Sequence, residues 1–130
     1  MKTTSELNLV LGWLWVALGF ASGAVLGLRF HDEHWLGGYV SWMRRLYRLA
    51  HVSFFGLGLL NLMFFLTVRG MSAASVPFQI ASIGFGGGAL TMPVCCVLAA
   101  HRPTYKPVFA VPVLSLMAGA LFTVWILISL

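Results

Sequence analysis

Apolar residues run almost without interruption over four stretches, 7–30, 47–68, 78–100 and 108–130, and polar residues collect between them. At a rise of about 1.5 Å per residue, each stretch could cross a hydrocarbon layer of about 30 Å as a helix. The connections are short, which favours antiparallel neighbours. The pattern predicts an all-α integral membrane protein, a single domain over 1–130 with four transmembrane helices in an up-down-up-down bundle. The first run, broken only by Asn8, Ser22 and Arg29, exceeds the roughly 7–15 apolar residues of a cleaved signal, so it is expected to remain as a span.

The connection 31–46, HDEHWLGGYVSWMRRL, is not uniformly polar. Trp35, Tyr39, Trp42 and Leu46 recur at helical spacing opposite Arg44 and Arg45, which predicts an interfacial segment between helices 1 and 2. Gly37 and Gly38 weaken a helix there. Inside the spans, small residues mark packing faces. Gly19, Gly23 and Gly27 recur every fourth position, and Gly58, Gly86, Gly87 and Gly88 allow close approach of a neighbouring helix. Asn61, deep in the second span, is expected to make an interhelical hydrogen bond worth about 1 kcal/mol or less. Pro93 removes one backbone hydrogen bond from the third span and predicts a kink.

Composition sharpens the class. With 60% hydrophobic and 8% charged residues, the chain lacks the charge for an aqueous shell, and lipid is the solvent it suits. The net charge of +5 flanks apolar runs and forms no solvated face, which points to headgroups and orientation and away from nucleic acid. Arg29, Arg44, Arg45, Arg48, Arg102 and Lys106 lie on one side, Lys2 and Arg69 on the other. The expected orientation has both termini outside and the basic loops cytoplasmic, in a bacterial inner membrane. Trp13, Trp15 and Trp125 then fall together at the outer interface.

All histidines fall on the inner side. His51 opens the second span and His101 closes the third, at matched depth. Two such imidazoles could ligate the iron of haem b, with Arg44, Arg48 and Arg102 near its propionates. Topology alone also accounts for those arginines. Over this segment, a histidine opening a phenylalanine- and glycine-rich helix, the layout resembles small haem-associated four-helix membrane proteins, and no residue role follows from it. His31 and His34, flanking Asp32 and Glu33, offer nitrogen and oxygen ligands to a metal, or else a solvated turn whose carboxylates pair with the arginines. Cys95 and Cys96 are adjacent, form no Cys-x-x-Cys motif, and read as small hydrophobes.

The acidic residues, Glu6, Asp32 and Glu33, all lie outside the middle of the spans, against a proton-coupled transporter. No Ser/His/acid set gathers at one depth. The expected function is a non-catalytic subunit or assembly partner of a larger membrane complex, respiratory or otherwise electron-transferring, with lipid and other membrane subunits as partners. The alternative is a small redox protein holding haem b between His51 and His101.

Overall fold

The structure, a computed structural model, describes residues 4–71 and 75–130; Lys2 and the middle of the second connection lie outside them. The described residues are helical, with no strand: α1 (Thr4–Leu28), α2 (Trp42–Val68), α3 (Val76–His101) and α4 (Ala110–Ile128), plus 3-10 turns at Trp35–Gly37 and Pro103–Phe109. Four helical segments are long and apolar enough to cross a membrane.

Helix α2 starts ahead of its apolar stretch because Ser41 caps it. The Ser41 hydroxyl accepts from the Arg44 N–H at 3.1 Å and donates to the Leu36 carbonyl at 2.6 Å. The stretch before it is not one helix. Leu36, Gly37 and Gly38 take φ of 53°, 82° and 94°, a left-handed run that reverses the chain and suits glycine. This resets the phase of the aromatic pattern. Trp35 and Tyr39 do not stand opposite Arg44, as helical spacing suggested, but fold over it.

Helix α3 is central. Half of its apolar window is buried (50%), against 33% for α2, 17% for α1 and 11% for α4. It packs on α2 and α4 and touches α1, which lies mainly on α2. Gly12, Gly19 and Gly23 of α1 meet Leu62, Phe55 and His51 of α2 in turn, so the α1 glycine stripe is used within the chain up to Gly23. Between α2 and α3, Phe64 packs against Phe78 and Phe85, while Trp42 reaches Ala99. Between α3 and α4 the backbones almost touch: a Cβ on Gly84 would lie 2.7 Å from the Gly119 nitrogen and the Ser115 carbonyl.

Polar groups lock these interfaces. Asn8 Nδ2 donates to Asn61 Oδ1 at 2.7 Å and to the Ser82 carbonyl at 3.1 Å, and the Ser82 hydroxyl donates back to Asn8 Oδ1. Asn61 Nδ2 donates to the carbonyls of Leu57 (2.8 Å) and Phe85 (3.3 Å). Asn61 is fully buried and holds three helices together, a wider role than the single bond expected of it.

Main-chain carbonyls accept a second set of ties. Pro93 has no N–H for the Ala89 carbonyl four residues earlier, and the Trp15 indole donates there instead at 3.0 Å. At the C-terminal end of α3, which closes at His101, the Ala99 carbonyl has no helical donor and accepts the Trp42 indole at 2.8 Å. The Cys95 thiol donates to the Val108 carbonyl at 3.5 Å, tying α3 to the turn before α4.

Trp15→Phe should cost about 1–3 kcal/mol, because it strands the Ala89 carbonyl. In a Pro93→Ala background, where residue 93 regains its N–H, the same change should cost markedly less. A double-mutant cycle on unfolding in mixed micelles reads this coupling, and strict additivity would exclude it.

Candidate functional site

The end of the molecule formed by the C-terminus of α1 and the N-terminus of α2 gathers the most unusual chemistry. Arg44 lies one turn into α2 and is 4% exposed. Its guanidinium donates to the Asp32 carbonyl at 3.1 Å and the Phe30 carbonyl at 3.4 Å. The rings of Trp35 and Tyr39 lie 5.6 Å from it, and that of Phe30 lies 6.0 Å away. Arg48, one turn further on, stacks on Tyr39 at 4.3 Å and donates to the Tyr39 carbonyl at 3.2 Å. Cation–π contact and carbonyl bonds thus tie the connection 29–41 onto α2.

Among the described residues no carboxylate forms an ion pair with these arginines. Asp32 Oδ1 accepts from the His34 N–H at 3.0 Å, and neither Asp32 nor Glu33 reaches Arg44, Arg45, Arg48 or Arg102. The carboxylate pairing anticipated for this turn is replaced by aromatic faces and main-chain oxygens.

His51 faces α1. Its Nδ1 lies 2.9 Å from the Ser22 hydroxyl, which also donates to the Gly19 carbonyl at 3.0 Å. The serine has one proton, so satisfying both bonds puts an imidazole proton on Nδ1. The ring packs edge-on to Phe55 and over Gly23, where an added Cβ would come within 2.8 Å of Cε1.

A cavity of about 240 Å³ opens beside Arg44 and Arg48, with Gly27, Phe30, Trp35 and His51 among its walls. Gly27 has nothing within 4 Å of its Cβ position, so the floor is open there. On the other side of Trp35, Leu26 and His51 lies an apolar cavity of about 310 Å³ that reaches Phe54, Pro93 and Val97.

His101 is elsewhere. It is exposed at the end of α3, with Nε2 3.0 Å from the Tyr47 hydroxyl, and it lines neither cavity. His51 and His101 thus serve different neighbours and share no described cavity. Arg102 is exposed and lines neither cavity, so it does not join Arg44 and Arg48. His31 and His34 are exposed, and among the described residues no group of three or more His, Cys, Asp or Glu is placed to hold a metal ion. Cys95 and Cys96 are free thiols in the core.

The glycines divide by role. Gly88 meets Leu116, Gly87 meets the Ser115 hydroxyl and Gly58 meets Gly12 and Trp15, whereas Gly86 has only an ordinary contact, 3.7 Å to Leu11. Helical spacing marked Trp35 and Tyr39 but not their place over Arg44, and Ser22 sits in no spacing motif. The one signal for Ser22 is that it interrupts an apolar run. Comparison with protein-family models, curated proteins and solved structures finds no match.

Arg44→Lys keeps the charge but cannot bridge both carbonyls or lie flat among the rings. It should speed limited proteolysis within 29–41 by about tenfold, from the loss of roughly 1.5–3 kcal/mol of charged hydrogen bonds. Arg45→Lys, an exposed neighbour, should leave the rate unchanged.

Proposed function

We propose that this chain is a non-catalytic membrane subunit that offers one helix-docking face to a larger assembly. Its four helices would cross up-down-up-down, with the connection 29–41 at the interface. The order of contacts supports this alternation: residues rise along α1 as they fall along α2, and the same holds for α2 with α3 and α3 with α4. The end carrying Arg29, Arg44, Arg45, Arg48, Arg102 and Lys106 would face the cytoplasm.

One observation carries the docking role. A groove of about 470 Å³ runs between α1 and α3, walled by Leu7, Leu14, Ile83 and Leu90 and floored by Gly86 and Gly87. Gly86 has no close neighbour in this chain that would demand a glycine. A transmembrane helix of another subunit fits such a floor, because glycine lets two backbones come close where lipid offers no hydrophobic drive. Meanwhile, no buried side-chain nitrogen or oxygen among the described residues lacks a partner. The polar groups of the spans are engaged in holding the helices, which suits a structural role.

Gentle detergent extraction and native-gel sizing test this reading. The expected result is migration well above the monomer. Gly86→Leu, which the chain itself has room for, should release the monomer while its own unfolding transition stays in place. Migration as a lone monomer before any substitution would count against the proposal. For orientation, alkaline phosphatase fused after Leu130 should be active outside, and a fusion within 102–106 should be silent.

A further inference from the structure

Beyond a docking role, the cavity at Arg44 and Arg48 has features of a ligand site. Arg44 is almost fully buried, and Arg48 is partly buried beside it. Both line the same space of about 240 Å³. Their hydrogen bonds go to the neutral carbonyls of Phe30, Asp32 and Tyr39, and among the described residues neither forms an ion pair with a carboxylate. Withdrawing guanidinium groups from water without a counterion is costly, and the remaining N–H donors of a planar fork match the oxygens of a phosphate.

We propose that this cavity binds the phosphate of an acidic phospholipid, with the apolar part of that lipid lying against the cavity beyond Trp35 and His51. The shared chemistry is a phosphate-bearing anion. What selects a lipid over free phosphate is the second chamber. The apolar cavity of about 310 Å³ shares Leu26, Trp35 and His51 with the first, so a charged head and a hydrocarbon body find matched surroundings a side chain apart. Trp35 and Tyr39, beside the arginines, are residue types that favour the headgroup level, and anionic lipid is drawn to basic residues there. His51 is the partition between the chambers, and its Nδ1 is taken by Ser22. Gly27 leaves the floor of the charged chamber clear. The inference rests on the chain spanning a membrane but not on its having a protein partner.

The test is native mass spectrometry of the full chain released from micelles doped with equal amounts of dioleoyl phosphatidylglycerol and phosphatidylcholine. Phosphatidylglycerol adducts should exceed phosphatidylcholine adducts by about tenfold. Gly27→Leu fills open space and Arg48→Gln removes one charge without touching the Arg44 bonds; each should bring that ratio close to unity. Arg69→Gln, at the other end of α2, should leave it unchanged. Equal retention of the two lipids by the unaltered chain would overturn the proposal, as would an undiminished preference in both cavity variants. Inorganic phosphate at millimolar concentration should not displace the bound lipid. Displacement would overturn the lipid assignment in favour of a soluble phosphate. A chain that stays dispersed without detergent would instead sink the membrane reading itself.

Discussion

Main-chain carbonyls that lose their helical donor shape this molecule. In a hydrocarbon surrounding, a bare carbonyl costs several kcal/mol, and water is not at hand to relieve it. Pro93 leaves one such oxygen inside α3, at Ala89, and the end of the helix leaves another at Ala99. Each oxygen takes an indole N–H from a different helix, Trp15 of α1 and Trp42 of α2. The Phe30 carbonyl, just past the end of α1, is likewise taken by the guanidinium of Arg44, which also shares the Asp32 carbonyl with the Trp35 N–H. A local defect in one helix thereby becomes a specific contact with another, which explains why α3, rich in defects, lies at the centre.

Glycine and asparagine supply the complementary constraint. Where Gly84 meets Gly119, two backbones come close enough that a methyl group would have no room. Dispersion across such an interface is what lipid cannot match. Asn8, Asn61 and Ser82 add direction to it, since their bonds can be made in one register only. Close approach gives the helices their attraction, and the polar knot gives them their alignment.

The helices were readable because apolar length is a one-dimensional property, as is glycine spacing. Which surface a glycine meets is not. Gly12, Gly23 and Gly27 look alike in sequence, yet one meets a leucine, one an imidazole and one nothing. The histidines show the same limit. Depth along the helix axis was legible for His51 and His101, but shared ligation also needs matching directions around that axis. Those directions depend on Ser22 and Tyr47, partners 29 and 54 residues distant. In the connection before α2, aromatic spacing agreed with a helix by coincidence. The left-handed backbone from Leu36 to Gly38 broke the phase and carried Trp35 and Tyr39 onto Arg44. Gly37 and Gly38 pointed to an interruption, though not to where the rings would land.

The bond between Asn8 and Asn61 also bears on how such a chain enters a bilayer. Residues emerge from the ribosome in order, so α1 and α2 are complete before α3 is made. Asn8 spans 74 positions to Ser82 but only 53 to Asn61. The first hairpin therefore already carries the partner for its own buried amide, at 2.7 Å, when it leaves the translocation channel. Asn8 then enters with one bond already made, and its amide oxygen takes the Ser82 hydroxyl when α3 joins.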